Sequence, residues 1–267
     1  MQCILTIAGS DSGGGAGIQA DLKTFEALGL FGTSAITAIT AQNTLGVTAI
    51  HEVPAEVVAA QIDAVVSDLR PAAVKVGMLS SPEIATVVAA AIARNRLPNV
   101  VVDPVMVAKS GDRLLRPEAV DALVRLLLPL ATVLTPNLPE AAVLLGRLVL
   151  TSEEQETAAR DIALLGPQAV VVKGGHSDGD PVDVLWTAGA VRHYSAQRIA
   201  TSSTHGTGCT FSSAIAGYLA LGLPVPEAVG AAKAYVTGAI YHAPGLGGGH
   251  GPVNHHWQQA AVAAAGR

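Results

Sequence analysis

The chain has 267 residues, of which half are hydrophobic and 14% are charged, and its formal net charge is −5. This composition supplies enough apolar side chains for a large core and excludes an intrinsically disordered chain. The negative charge and the aromatic content of only 3% argue against a nucleic-acid surface, which needs clustered cations and stacking rings.

The two cysteines, Cys3 and Cys209, are far apart in the sequence and do not form the pattern of a disulfide-stapled secreted domain. The first basic residue is Lys23, so the N-terminus lacks the charged region of a signal peptide. Apolar runs such as residues 119–134 are interrupted by charged residues and proline. We therefore expect reduced thiols, a cytoplasmic protein and no membrane span.

Short β-branched runs alternate with longer segments of helical periodicity, which is typical of βαβ units around a parallel sheet. The predicted strands up to Lys173 are residues 3–8, 34–41, 47–53, 73–76, 100–103, 132–135 and 169–173. The predicted helices between them are residues 17–28, 55–69, 82–94, 117–128, 139–145 and 152–165. Two alternating runs, 182–187 and 190–194, then predict an antiparallel hairpin at the sheet edge. Helices at about 210–221 and 226–241 follow, and with no repeat or linker visible we expect one domain over residues 1–267.

Open parallel sheets bind ligands beyond the carboxyl ends of their strands, so the residues after each predicted strand are candidates for a site. The first strand leads into a glycine-rich loop, residues 9–17, which could wrap a small ligand or a phosphate. The loop lacks the Gly-Lys-Ser/Thr ending of a P-loop and fits the dinucleotide fingerprint poorly, so a flexible connector is an equally good interpretation.

Polar side chains follow two later strands. Asp103 could hold Mg²⁺ through water, or it could cap a turn before Pro104. Asn137 and Glu140 would both face outward from the first turn of a helix, where they could meet a ligand. Their spacing is also typical of a helix cap, and the spacing alone favours the cap.

Lys173 ends the strand before the hairpin, where its ammonium could neutralise a phosphate or lie on the surface. Lys233, in the last long helix, has the same two interpretations, and a solvated surface position is favoured. No cysteine or carboxylate accompanies His250, His255 and His256 at a ligand spacing, so we expect no metal site there.

The segment Thr-His-Gly-Thr-Gly-Cys, residues 204–209, leads directly into a predicted helix. Unpaired amides and the helix dipole make such a junction a site for negative charge, and Gly206 and Gly208 let the backbone approach a ligand closely. The same field would lower the pKa of the Cys209 thiol. Taken alone, the segment is better explained as a turn beside a buried cysteine, but together with the other candidates it makes Cys209 a candidate base.

The ordered set of motifs resembles the hydroxymethylpyrimidine/phosphomethylpyrimidine kinases of thiamine biosynthesis, and it covers nearly the whole chain. The matching runs are residues 4–11, 14–25, 40–44, 75–79, 103–106, 109–111, 135–140, 173–176 and 204–210. The resemblance implies the ribokinase-like fold, a three-layer α/β/α sandwich with a mostly parallel central sheet and a short antiparallel edge hairpin. It also implies ATP-dependent phosphorylation of 4-amino-5-hydroxymethyl-2-methylpyrimidine to its monophosphate and then to its diphosphate.

The resemblance also implies roles for single residues. Cys209 would accept the proton of the substrate hydroxyl, while amides around Gly206, Thr207 and Gly208 stabilise the transferring group. Many ribokinase-like sugar kinases have aspartate where this chain has Cys209, but the cysteine agrees with the pyrimidine and pyridoxal kinase branch. The resemblance further implies that Asp103 and Glu140 hold Mg²⁺ and that Lys173 neutralises phosphate charge. The residues implied for ATP binding are Asp103, Asn137, Glu140, Lys173, Thr207, Gly208 and Lys233. Those implied for pyrimidine binding are Gly9, Ala16, Asp21, Gln42, Met78 and Val105.

Two alternative functions stay open. A pyridoxal or pyridoxine kinase shares the Gly-Thr-Gly-Cys site, and although Gln42 and Met78 favour the pyrimidine, an enzyme with both activities fits as well. A catalytically silent binding module would not need Asp103, Glu140, Lys173 and Cys209 together. Family members are commonly homodimers, so we expect a homodimer, and residues 13–15 could close as a lid.

Overall fold

Nine strands form a single sheet in the computed structural model of the protein, which describes residues 1–106, 117–175 and 179–258. In chain order they are β1 (Cys3–Asp11), β2 (Phe31–Gln42), β3 (Val47–Glu52), β4 (Val74–Val76), β5 (Val100–Val102), β6 (Val133–Leu134), β7 (Ala169–Val172), β8 (Val182–Thr187) and β9 (Ala190–Ser195). Their order across the sheet is β3-β2-β1-β4-β5-β6-β7-β8-β9. The six central strands, β2, β1, β4, β5, β6 and β7, are parallel. The edge strands β3, β8 and β9 pair antiparallel.

Helices cover both faces of the sheet. They are α1 (Gly17–Ala27), α2 (Ala55–Leu69), α3 (Pro82–Asn95), α4 (Pro117–Ala122), α5 (Leu138–Leu145), α6 (Ser152–Ala163), α7 (Thr207–Ala220) and α8 (Val225–Tyr241). Successive strand residues point to opposite faces, so Val101 packs in the core beneath α1, α7 and α8, while Val100 and Val102 pack beneath α2 to α6. The predicted α/β/α arrangement with a mostly parallel sheet and an antiparallel edge hairpin is therefore confirmed.

The predicted elements are all present, but three differ in ways that have a physical cause. Antiparallel pairing also occurs at the β3 edge, where the alternation of residues 47–53 did not reveal the strand direction. The helix predicted over residues 117–128 passes at Ala122 into a π-helical turn and a 3₁₀ turn, because Pro129 cannot donate the next helical hydrogen bond. Helix α7 begins at Thr207, three residues before the predicted start, since Thr and Gly are weak helix formers that conceal the boundary.

A C-terminal strap, residues 243–258, connects the helices to the loops at the carboxyl edge of the sheet. The amide of His250 donates to the carbonyl of Thr44, and the amide of His205 donates to the carbonyl of Gly251. The ring Nε2 of His255 lies 3.1 Å from Oγ1 of Thr210, in the first turns of α7. The strap thus ties the β2–β3 turn and the start of α7 together.

We expect the strap to make the fold sensitive to acid through His255, which is 4% exposed. Burial lowers the pKa of His255 to about 4, below the ordinary value of 6.5. The neutral ring is favoured in the fold, so this stability is complete above pH 6.5 and is lost as the pH falls towards 4, by on the order of 3 kcal/mol. His255→Gln should show a smaller fall in unfolding free energy than wild type between pH 7 and pH 4.5, measured by urea titration.

The control for this prediction is the exposed His51. His51→Gln should leave the pH dependence of unfolding unchanged. An acid sensitivity of His255→Gln equal to that of wild type would contradict the assignment.

None of the helices in the described segments has the length and apolar character that a membrane span requires. The predicted loop at residues 109–112 and His176 lie outside the described residues.

Candidate active site

Three charged side chains predicted from separate strand ends meet at the carboxyl edge of the sheet. Asp103 follows β5, Glu140 lies in the first turn of α5 after β6, and Lys173 follows β7. Lys173 Nζ lies 2.8 Å from Asp103 Oδ1 and 3.9 Å from Glu140 Oε2. Both carboxyl groups are buried, and one ammonium can balance only one of the two acids, so a metal ion could balance the other when it ionises.

The cap predicted for Asn137 and Glu140 is present. The Asn137 side chain accepts from the Glu140 amide, and Glu140 Oε2 accepts from the Asn137 amide, both at 2.8 Å. Burial and the charge of Asp103 raise the pKa of Glu140 to about 7, against the opposing effect of Lys173. A carboxyl group that ionises so reluctantly would release its proton when a cation bound beside it.

The start of α7, which has free backbone donors, lies beside this cluster. Gly206 is the N-cap of α7, in the left-handed conformation at φ +77°, and Thr207 Oγ1 donates to the Thr204 carbonyl at 2.8 Å. Among the described residues, no acceptor meets the amides of Gly208 and Cys209. A Cβ at Gly208 would lie 3.4 Å from Lys173 Nζ. The free amides and the ammonium therefore border one small space suited to a phosphoryl group.

Cys209 lies in the first turn of α7 and is partly buried. The amide of Gly17, the first residue of α1, donates a hydrogen bond to its sulfur, so two helix N-termini converge on the thiol. Burial nevertheless raises the pKa of Cys209 to about 11, and the nearby charge of Lys75 only partly opposes this. The prediction that the helix field would lower this pKa is wrong for the free protein, because desolvation of the thiolate is the larger effect.

The glycine-rich loop after β1 is held by a carboxylate instead of offering its amides to a phosphate. Asp11 accepts from the amides of Gly13, Gly15 and Ala16 at 2.8–3.1 Å. Its Oδ2 also lies 2.8 Å from His205 Nε2. Burial alone would raise the pKa of Asp11. These hydrogen bonds outweigh burial and lower that pKa, and the one with His205 has the largest effect among them. Asp11 thus ties this loop to the segment before α7.

The residues expected around the pyrimidine, apart from Asp21, are buried or half-buried, and their contact with the ring stays a prediction. Met78 is buried, and its Cε lies 2.8 Å from where a Cβ at Gly9 would stand. Gln42, at the end of β2, is half-buried, and its amide accepts from Thr40 Oγ1 at 3.1 Å. Its Nε2 lies 3.5 Å from His205 Nε2. Ala16 and Val105 are also half-buried, at the start of α1 and two residues after Asp103.

Asp21 does not fit the expected contact with the pyrimidine. It is fully buried, and both carboxylate oxygens are occupied. Oδ2 accepts from Thr6 Oγ1 at 2.6 Å and Lys75 Nζ at 2.9 Å, and Oδ1 accepts from Ser213 Oγ at 2.6 Å. Because this carboxylate is fully buried and already accepts three hydrogen bonds from the protein, it is not exposed to a ligand, and its position corrects the expectation.

Lys233 does not lie on the surface, although its position in the last long helix had favoured a solvated side chain. It is 8% exposed, and its Nζ donates to Asp183 Oδ2 at 2.9 Å and to the Pro181 carbonyl at 3.0 Å. Asp183 Oδ1 in turn accepts from the amide of Gly174. Lys233 therefore supports the turn directly after Lys173.

Sequence reasoning missed Asp11, His205 and Lys75 as parts of the site. A signal existed for Lys75, because a lysine within the buried run Val74-Lys75-Val76 breaks the apolar pattern of a central strand. Asp11 and His205 carried no comparable signal, since their pairing joins residues 194 positions apart.

Comparisons with known proteins agree on one group of kinases. The family model described as phosphomethylpyrimidine kinase matches residues 11–254. A hydroxymethylpyrimidine/phosphomethylpyrimidine kinase of Rhizobium meliloti (strain 1021) is 56% identical over 255 residues, which cover 94% of this chain and 96% of that protein. The thiamine biosynthesis bifunctional protein ThiED of Geobacter sulfurreducens is 53% identical over 253 residues, which cover 94% of this chain and 52% of that protein. This chain therefore corresponds to about half of that relative.

A solved structure extends the similarity to the fold. The ADP complex of Bacillus subtilis pyridoxal kinase matches with a TM-score of 0.91 and 40% sequence identity, covering 97% of this chain and 99% of that chain.

Proposed function

The chain belongs to the phosphomethylpyrimidine kinase family, and we propose that it phosphorylates 4-amino-5-hydroxymethyl-2-methylpyrimidine twice with ATP, for thiamine diphosphate synthesis. The observation that carries this proposal is the space bordered by the free amides of Gly208 and Cys209 and by Lys173. Its fixed donors match the charge that a transferring phosphoryl group spreads over its oxygens.

The first phosphorylation needs a base, because the substrate nucleophile is an alcohol. Cys209 would take the hydroxymethyl proton as the oxygen forms its bond to the γ-phosphorus of ATP and the bond from that phosphorus to the bridging oxygen breaks, leaving ADP. The amides of Gly208 and Cys209 and the Lys173 ammonium would hold the transferring group. Met78 and the Gln42 amide would position the ring.

The second phosphorylation starts from a phosphate oxygen that is largely ionised near pH 7. No proton has to leave this nucleophile as it attacks. The same amides and Lys173 would hold the transferring group, so this step should depend much less on Cys209.

Asp103 and Glu140 fit a site for Mg²⁺. Two buried carboxylates, one with a pKa raised to about 7, supply the oxygen ligands that Mg²⁺ takes from proteins when phosphates supply the rest. When bound, the ion would neutralise phosphate charge. Lys173, whose pKa is raised by both carboxylates although burial opposes them, would remain an ammonium throughout.

Three of the residues implied for ATP would contribute by fixing neighbouring parts of the site, without a direct contact to the nucleotide: Asn137, Thr207 and Lys233. The Asn137 cap fixes Glu140, and Thr207 fixes the first turn of α7. Lys233 holds the turn after Lys173 through Asp183.

A second candidate function is phosphorylation of pyridoxal, favoured by the 40% identity and TM-score of 0.91 to a pyridoxal kinase. The B6 vitamers are also six-membered nitrogen rings with a hydroxymethyl group, so the same base and phosphoryl site would serve them. Contacts to the ring must discriminate between the two substrates.

The experiment that tests the proposed function is an ATP-dependent assay with product identification, run in parallel on hydroxymethylpyrimidine, its monophosphate, pyridoxine and pyridoxal. We expect mono- and diphosphate from the pyrimidine. Turnover of B6 vitamers alone would favour the second candidate, and no turnover would favour a silent binding module. The homodimer expected from the resemblance stays a prediction, which analytical ultracentrifugation would test.

The two phosphorylations should differ in their pH dependence. Because the pKa of the Cys209 thiol is about 11, the thiolate fraction rises about tenfold per pH unit below that value. We expect kcat/KM of the first step to rise between pH 6.5 and 9, while that of the second becomes flat above about pH 7. Initial rates in one buffer series, with ATP and Mg²⁺ saturating, measure both. Parallel profiles for the two steps would contradict the role of Cys209.

A further inference from the structure

Lys75 is a fully buried cation in the middle of the central strand β4, beside β1 and β5. Its Nζ forms an ion pair of 2.9 Å with Asp21 Oδ2, and both side chains are 0% exposed. Removing two charges from water is so costly that apolar residues of similar volume often stabilise a fold as well or better. The pair therefore calls for an explanation other than stability.

The two partners are not equally satisfied. Asp21 accepts three hydrogen bonds, from Thr6, Lys75 and Ser213. An ammonium has three donors, yet Lys75 makes one hydrogen bond within the described part of the chain, to Asp21. Two N–H groups of a buried cation are thus available for a further negative partner. Gly77 leaves room for the ammonium, since a Cβ there would lie 2.7 Å from Nζ.

The geometry links this ammonium to the second turn of α7 through the Asp21 carboxylate. Ser213, which donates to Asp21, follows Cys209 by four residues, so both side chains lie on the same face of α7. Asp21 thereby joins Lys75 to the helix that carries the thiol. Gly17, which donates to the Cys209 sulfur, lies one turn before Asp21 in α1.

Four charged groups face the Cys209 thiol from the surrounding elements. They are Asp21 on α1, Lys75 on β4, Asp103 after β5 and Lys173 after β7. Burial is the largest cause that raises the pKa of Cys209. The charge of Lys75 is the largest cause that lowers this pKa, and its effect is larger than the raising effect of Asp21. The charge of Asp21 raises the pKa of Lys75 above its usual range, although burial opposes it, so Lys75 stays positive.

We propose that Lys75 is a positioning residue of the phosphoryl-transfer site, whose spare N–H groups stabilise the negative charge that Cys209 carries as a base. Asp21 and Ser213 hold the ammonium against α7. This inference rests on the proposed function of Cys209. Lys75 acts through Cys209 and takes no proton itself, so its cation is a fixed part of the site.

Alkylation of Cys209 by iodoacetamide tests the proposal without relying on activity. The background is Cys3→Ser, which leaves Cys209 as the single thiol. Lys75→Met should slow alkylation at pH 8 about tenfold or more, because an opposite charge close by shifts a pKa by roughly one to three. A purely structural role would instead loosen the packing around the thiol and speed alkylation, so an unchanged or faster rate in folded Lys75→Met would overturn the proposal.

The double variant K75M/D21N guards against a failure of Lys75→Met to fold, because it leaves neither charge buried alone. Since Lys75 influences the thiol more than Asp21 does, we expect the double variant to alkylate more slowly than wild type. An unchanged or faster rate in the folded double variant would overturn the proposal.

Kinetics complete the test. In the variants without Lys75, kcat of the first phosphorylation should fall more than kcat of the second, with KM for the pyrimidine nearly unchanged. Equal losses in both steps would overturn the proposal. If Cys209→Ala keeps the first phosphorylation, the proposed base is wrong, whereas the alkylation rates still report whether Lys75 acts on the thiol. The two failures are therefore distinguishable.

Discussion

Gly206→Ala is expected to abolish both phosphorylations, with a loss in kcat of about a thousandfold or more. Gly206 has φ +77°, and a Cβ there would overlap the carbonyl oxygen of Gly15. The start of α7 would have to move away from the glycine-rich loop, and the amides of Gly208 and Cys209 would move with it. Loss of one preorganised donor costs about 10²–10³ in kcat, and both free amides depend on this position.

The matched control is Gly146→Ala. Gly146 is also left-handed, at φ +66°, but no atom lies within 4 Å of a Cβ there. Both substitutions carry backbone strain of about 1–2 kcal/mol, and only Gly206→Ala adds the overlap. Urea unfolding of both variants gives the stability difference, and kcat for each phosphorylation gives the catalytic one. If Gly206→Ala kept kcat within tenfold of wild type, the geometry of the phosphoryl site would be wrong.

The arrangement of strands and helices was predictable because local patterns determine it. Parallel strands buried on both faces are apolar runs, such as Val100-Val101-Val102, and the amphipathic segments between them have the helical period. Strand ends could also be paired in advance, since the carboxyl ends of parallel strands meet at one edge. For this reason the sequence marked Asp103, Glu140 and Lys173 as separate candidates at strand ends, and the resemblance to the kinase family assigned them to Mg²⁺ and phosphate.

The state of individual site residues could not be predicted, because it depends on burial and on distant partners. The sequence placed Asp21 on a helix as a carboxylate available to a ligand, but it is fully buried and accepts from Thr6, Lys75 and Ser213. Lys233 appeared solvated, but it is buried against Asp183. For Cys209 the helix field was recognisable from the sequence, whereas the larger desolvation of the thiol required the packing around it.

Cys209→Ala is expected to lower kcat of the first phosphorylation by about 10²–10⁴ and kcat of the second by less than about tenfold. The first nucleophile is a neutral alcohol that must lose its proton as the bond to phosphorus forms. The second is a phosphate oxygen already ionised at pH 7. Both steps keep Lys173 and the backbone amides of α7, which alanine at position 209 does not remove.

The measurement is single-turnover phosphorylation of hydroxymethylpyrimidine and of its monophosphate, each with saturating ATP and Mg²⁺. Cys3→Ala is the control, because Cys3 lies in β1 and the one hydrogen bond described for its side chain is a weak contact of 3.8 Å to Thr33. This substitution should change neither rate. Equal losses in the two steps would mean that Cys209 supports the shape of the phosphoryl site instead of acting as its base. A selective loss would show that one site uses the same electrostatics for two nucleophiles and adds a base for the one that carries a proton.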